Sequence, residues 1–242
     1  MANPILNENN FNPEERVIDG ELMTVNGTIQ VTAFLGLLLV ASSAFVWSRF
    51  QAGFTDLTNM LMMGGAIVGL ITGLIVSFTR NKILIPVYAV SEGLFVGGLS
   101  AMFEKMYPGI VIQAIVATFA ALFAMLALYR AGLIKCNDKF RSIIFITTAS
   151  IAVVYLINFI GSFFGLHVPL INSSSPIGIG ISAFVCVIAA LNLIIDFDFI
   201  ERGEQMMLPK DFEWYGAFGL MVTLVWLYVE ILRLLAKFNE RR

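Results

Sequence analysis

Charge is what this sequence has least of: 13% of its 242 residues are Asp, Glu, Lys or Arg, against about 25% in a soluble domain. So little charge cannot cover a water-facing surface of this size, which excludes a soluble globular domain and a charge-rich disordered chain. Basic residues number 15 and acidic residues 17, net −2, so no cationic field exists to hold nucleic acid. The single histidine, His167, excludes a multi-histidine metal centre, and two cysteines cannot build a disulfide scaffold. A Gly-x-Ser-x-Gly elbow, a Walker loop, a Gly-x-Gly-Asp pair and a His-Glu-x-x-His helix are also missing. An intramembrane protease or a nucleotide-driven pump has no machinery here. Neither enzyme activity nor a cofactor is expected.

What the chain does have is apolar length. Hydrophobic residues make up 58% and the mean hydropathy is +0.85. A helix needs about 20 apolar residues to cross the hydrocarbon core. Charge-poor stretches supply seven such spans, at about 28–48, 57–79, 83–103, 107–129, 142–164, 176–197 and 213–237. The fifth and sixth come from one uncharged run of 54 residues between Arg141 and Asp196, split by the turn-rich stretch from Gly165 to Pro176. The expected fold is an all-α membrane protein, a seven-transmembrane helix bundle forming one domain. An acidic tail (1–27) precedes it and a short one (239–242) follows.

Between the helices, Lys and Arg fall eight (Arg80, Lys82, Arg130, Lys135, Lys139, Arg141, Arg202, Lys210) to two (Arg49, Lys105) in favour of the side that carries the N-terminus. The positive-inside rule then places the N-terminus in the cytoplasm and the C-terminus outside. The tail has no apolar h-region, so span 1 is expected to target the chain itself. Cys136 falls in a loop and Cys186 within span 6, depths that do not permit a disulfide between them; both read as inert thiols. Asn26-Gly-Thr28 and Asn172-Ser-Ser174 match the glycosylation pattern by chance. Gly65, Gly69 and Gly73 recur every four residues in span 2, and Gly93 and Gly97 repeat the spacing in span 3. Such rows let helix backbones approach closely, here within a monomer rather than between copies.

Carboxylates inside a membrane cost on the order of 2.5–3.5 kcal/mol each even on a lenient scale, and so point to function. Glu92 lies near the middle of span 3, between Ser91 and Gly93. Glu230 lies about 25 Å of helical rise into span 7, three residues before Arg233, a spacing that also suits a local ion pair. Asp196 and Asp198 close span 6, with Asn192 one turn above Asp196. Arg80, after span 2, shares their side of the membrane and is within reach of a carboxylate–arginine closure that protonation would release. Oxygen-rich carboxylate sites without soft ligands suit H⁺ or a hard cation such as Ca²⁺. No resident metal site is implied.

Several segments together carry a family resemblance. Ser91-Glu92-Gly93-Leu94, Met23-Thr-Val-Asn-Gly-Thr-Ile29, Ile195-Asp-Phe-Asp-Phe-Ile-Glu201, Glu213-Trp-Tyr215 and Leu224 to Leu235 resemble, in order and spacing, the Bax inhibitor family, and in detail its bacterial YccA-like branch. The resemblance spans essentially the whole chain. It implies a bundle with span 7 at the centre of six others, in the bacterial cytoplasmic membrane. It also implies a pH-sensitive Ca²⁺ leak gated near two aspartates, one ending span 6 and one within span 7. Asp196 matches the first by its place before the charged loop, with Asp198 two residues away as the alternative. For the second, the Leu-Tyr-x-acid pattern selects Glu230, whereas the following Leu-Leu-Arg stretch selects Thr223. Arg80 matches the family arginine after span 2, and the membrane glutamate that precedes it in relatives falls near Gly69.

Straight antiparallel helices put Asp196 and Glu230 roughly 20 Å apart along the membrane normal. The expectation is therefore no direct latch but a ladder of acids: Asp196 and Asp198 with Arg80 at the gate, Glu92 midway, Glu230 toward the outside. The first functional reading is a passive, pH-sensitive cation leak. The second is a non-transporting regulator that binds another membrane protein, such as a quality-control protease, through the acidic tail. The expected partners are the lipid bilayer, Ca²⁺ or H⁺ and a membrane protein, without nucleic acid and with the chain as a monomer. Proton-coupled transport ranks lower, because two matching interrupted spans are missing.

Overall fold

The computed structural model describes residues 21–165 and 173–241; His167, Asn172 and most of the acidic tail lie outside them. Among the described residues seven helices follow one another: α1 (Val25–Gln51), α2 (Thr55–Thr79), α3 (Leu84–Met106), α4 (Ile110–Arg130), α5 (Asp138–Phe163), α6 (Pro176–Gln205) and α7 (Phe212–Glu240). All seven are long and apolar enough to cross a membrane, so this is an integral membrane protein with the expected all-α architecture. One end of the bundle, the N-terminal face, carries residue 21 and the connections at 80–83, 131–137 and 206–211. The other, the C-terminal face, carries Arg241.

Local chemistry sets the helix ends. The Thr24 hydroxyl caps α1 by accepting from Gly27 N at 2.9 Å, Asn137 caps α5 through Phe140 N at 2.8 Å, and Ser175 caps α6 ahead of Pro176. Arg80 closes α2 in the left-handed conformation, φ +53°. The largest departure from the sequence reading is at α6. Its apolar stretch ends near Asp196, yet the helix runs on through Asp198, Glu201, Arg202 and Glu204 to Gln205. Those charges have partners or reach the rim, so nothing obliges the helix to stop where hydrophobicity does. Asp196 is thus about 14 Å inside the end of its helix rather than at it.

Two glycine rows bring α1, α2 and α3 together. A Cβ at Gly97 would sit 2.6 Å from Ser43 O and 2.7 Å from Ser43 Cα on α1, and one at Gly65 would sit 2.6 Å from Ser91 O on α3. In the space these glycines leave, Ser43 Oγ donates to Gly93 O at 2.8 Å. The rows are thus consumed inside the chain.

α7 packs its backbone against α1, α3, α4 and α6. It reaches the remaining two helices by hydroxyl bonds: Tyr215 OH donates to Val76 O of α2 at 2.5 Å, and Tyr155 OH of α5 donates to Glu230 Oε2 at 3.0 Å. The backbone of α5 packs along α6 alone among the described residues. It is the outlying member of the bundle.

Candidate functional site

Taking a charge out of water is costly unless it is paired, so the buried charges locate the chemistry. Beneath the N-terminal face, Asp196 is 1% exposed and Asp198 and Arg141 are 8% exposed. Asp198 Oδ2 is held by two arginines: Arg141 from α5, through a short charge-assisted hydrogen bond, and Arg202 one turn on in α6, at 3.0 Å. Arg141 Nε also donates to Cys136 Sγ at 3.4 Å, and Tyr129 OH of α4 bonds to Glu201. Burial pushes the Cys136 thiol above its ordinary pKa, as expected of an inert cysteine.

Arg80 was the expected cation for this carboxylate pair. On Asp198 that place is taken by Arg141 and Arg202, while the Arg80 guanidinium lies over the Phe212 ring at 5.8 Å, at the start of α7. The i,i+4 spacing of Asp198 and Arg202 was readable in the sequence. Arg141 was not, because sequence fixes a residue's depth but not which neighbour it faces.

Polar ties from Arg141, Thr148 and Tyr155 fasten α5. These residues are seven apart, which places them on one stripe of the helix with about 10.5 Å of rise between them. Arg141 binds Asp198, Thr148 Oγ1 accepts from Asn192 Nδ2 at 2.9 Å, and Tyr155 OH donates to Glu230. Glu230 is 1% exposed. It also accepts from Trp226 Nε1 at 3.3 Å and lies 3.6 Å from Arg233, the local ion pair anticipated from the i,i+3 spacing.

The other expected residues disperse. Glu92 faces α2, where its Oε1 occupies the space a Cβ at Gly69 would enter, 2.9 Å away. It therefore stands on the α2–α3 seam, while Glu230 stands between α7 and α5. Thr223 is buried and donates to Gly219 O at 3.2 Å. It lies about 17 Å of rise from the start of α7, and Glu230 about 27 Å. Because α6 is longer than its apolar stretch, helical rise counted from the shared end puts Asp196 about 3 Å short of Thr223 and about 13 Å from Glu230, rather than roughly 20 Å.

A fourth buried acid, Glu213, entered the sequence reading as the start of span 7 and within a resemblance segment, not as a candidate site residue. Its Oε1 accepts from both Thr24 N and Thr24 Oγ1 at 3.0 Å, and bare Gly27 makes room for it. Beside it Leu22 pairs with Pro209 in an antiparallel bridge, Met23 N donates to Leu208 O at 2.8 Å, and the Met23 side chain packs with Phe199, Ile200, Leu208 and Phe212. The Met23–Thr28, Ile195–Glu201 and Glu213–Tyr215 segments, far apart in the chain, thus meet at one corner.

Comparison with curated proteins gives no match. The family profile described as Bax inhibitor 1 like matches residues 3–240, taking in every helix and every buried charge above. The chain therefore belongs to the Bax inhibitor 1 like family.

Proposed function

We propose that this protein is a passive, pH-sensitive leak for cations, with Ca²⁺ as the favoured ion, and that its gate is the carboxylate pair Asp196 and Asp198 beneath the N-terminal face. The observation that carries this reading is Asp198 clamped between Arg141 and Arg202, a charge closure tying outlying α5 to α6. Protonating the carboxylate removes the attraction that holds the two helices together. Arg80, at the same face, completes the basic rim. Glu230, bonded to Tyr155 on the same stripe of α5, is the acid a cation would meet next, whereas Glu92 serves the separate α2–α3 seam. In this proposal the N-terminal face is the cytoplasmic one, the membrane is the bacterial cytoplasmic membrane, and the chain sits in the YccA-like branch.

The test is Ca²⁺ entry into dye-loaded liposomes containing the purified protein, titrated over about pH 5.5 to 8. Wild type should leak more as the pH falls. Asp198→Asn should leak at high pH as well, with little remaining pH dependence, and Asp196→Asn should move the midpoint. Identical pH–flux curves for all three proteins would refute the gate. The alternative, a regulator that binds another membrane protein, is favoured by the strap at residues 21–24, which anchors the acidic tail beside the α6–α7 corner. Deleting residues 2–20 should then abolish partner capture and leave the fold intact.

A further inference from the structure

One polar side chain facing the α5 stripe has no part in the gate and one bond left to make. Asn192 is 5% exposed and lies about 20 Å of rise from the Gln205 end of α6, near the middle of that helix. Its Nδ2 donates twice, to Thr148 Oγ1 of α5 at 2.9 Å and to Ile188 O at 2.8 Å. A backbone carbonyl only accepts, so Ile188 fixes which way the amide points. Both N–H groups are thereby used, and Oδ1 is turned away from them. Among the described residues no donor reaches Oδ1, and protein does not seal that oxygen off. A buried carbonyl without a donor is costly unless something else fills the place.

We propose that Asn192 is the specificity-determining residue of the leak, its amide oxygen receiving a divalent cation once the gate has admitted it. The proposal rests on the leak reading and names the residue that sorts ions within it. Asn192 is one turn from Asp196 on the same face of α6, about 6 Å deeper in the membrane. Its partner Thr148 stands between Arg141 and Tyr155 on the α5 stripe, so an ion moving from the gate toward Glu230 passes this pair. Thr148 Oγ1 keeps a second lone pair, and α5 and α6 thus present one neutral oxygen each. Hard cations such as Ca²⁺ take asparagine carbonyls among their oxygen ligands. Neutral oxygens also hold an ion weakly enough to release it, as conduction requires. The energy of an ion beside a fixed dipole scales with its charge, so the pair favours a divalent over a monovalent ion. Thr148 acts through Asn192 as well, because its hydroxyl orients the amide.

The test compares Ca²⁺ with K⁺ flux through the full chain in liposomes, at the acid end of the titration where the leak reading has the gate open. Asn192→Leu keeps the shape and removes both the oxygen and the donors. Thr148→Val keeps the shape and removes the hydroxyl that orients the amide. Each should lower the ratio of Ca²⁺ to K⁺ flux on the order of tenfold, with the pH midpoint of the leak unmoved. Ser150→Ala deletes an exposed hydroxyl of α5 that bonds within its own helix, and it should keep the wild-type ratio. Thr148 is half-buried, so its variant keeps the test decisive if Asn192→Leu does not fold. If wild type leaks and both variants keep its ratio, the proposal alone is overturned, and the oxygen is filled by a water with no say in permeation. An equal fall in Ser150→Ala, or a moved midpoint at an unchanged ratio, overturns it too. A wild type that leaks at no pH overturns the leak reading itself, and this proposal with it.

Discussion

Asp198 concentrates the energetics of the N-terminal face into one side chain. A buried ion pair adds little stability when intact, but removing one partner leaves an uncompensated charge, at about 3–5 kcal/mol. Arg141→Ala should therefore lower the unfolding temperature in detergent clearly, despite the remaining Arg202. Adding Asp198→Asn to it should recover part of the loss, since the stranded charge is gone. Strict additivity of the two changes would show that the pair is not coupled. Residue identity alone revealed which acids lie in the membrane, and Arg233 as the neighbour of Glu230. It did not reveal Arg141 or Tyr155 as contributors. Their positions in the chain mark helix ends or apolar faces, and only packing brings them to a carboxylate.

The exposed pair Glu21 and Lys210, at 2.6 Å, titrates in the opposite sense at its two partners. The hydrogen bond from Lys210 holds the Glu21 carboxyl below its ordinary range, and the same bond raises Lys210. The Glu21 contribution is present above the ordinary carboxylate pKa and is lost as the pH falls through the depressed value. The Lys210 contribution is present below the ordinary lysine pKa and lost as the pH rises through the raised one. The amide of Met23, bonded to Leu208 O, should accordingly show its highest hydrogen-exchange protection, corrected for intrinsic rate, between those limits. Lys210→Met should flatten the profile; a profile equally steep in that variant would assign it to other groups.

At the scale of elements, the glycine rows make a prediction with its own control. Gly97→Ala drives a methyl into the Ser43 backbone, and overpacking of this kind costs about 1–3 kcal/mol. At Gly64, one residue from Gly65, an added methyl would meet nothing within 4 Å, so Gly64→Ala should leave the unfolding temperature unchanged or raise it. Equal effects would show that these contacts do not limit the packing. Seven spans were legible because hydrocarbon thickness imposes a minimum apolar length on each. Helix ends were less so, since α6 continues wherever its charges find arginines or the rim, and hydrophobicity does not report that.

At the scale of the whole molecule, six helices share continuous packing around α7 or beside it, while α5 leans on α6 and is fastened by its polar stripe. Local openings begin where apolar contacts are few, so α5 is the element positioned to move. Spin labels at Val154 on α5 and Phe184 on α6, both exposed, should give a broader distance distribution in Tyr155→Phe than in wild type. Identical distributions would mean that the Tyr155–Glu230 bond does not restrain the helix. The central place of α7 follows from the family resemblance and not from its hydrophobicity, which is lower than that of α1, α4 and α6, three of the helices it packs against.

The bond between Thr24 and Glu213 spans 189 residues of sequence, and synthesis runs in one direction. Helix α1 is the first to leave the ribosome, yet the carboxylate that secures its first turn arrives with the last helix. Until α7 is made, the start of α1 has its own Thr24 cap and the Glu204 carboxylate of α6 at Val25 N but not that of Glu213, and the corner around Met23 lacks Phe212. Completion of the start of α1 is therefore a report that the start of α7 has been translated and inserted. A chain cut short before residue 213 would show its unfinished state at the membrane surface, at the start of α1.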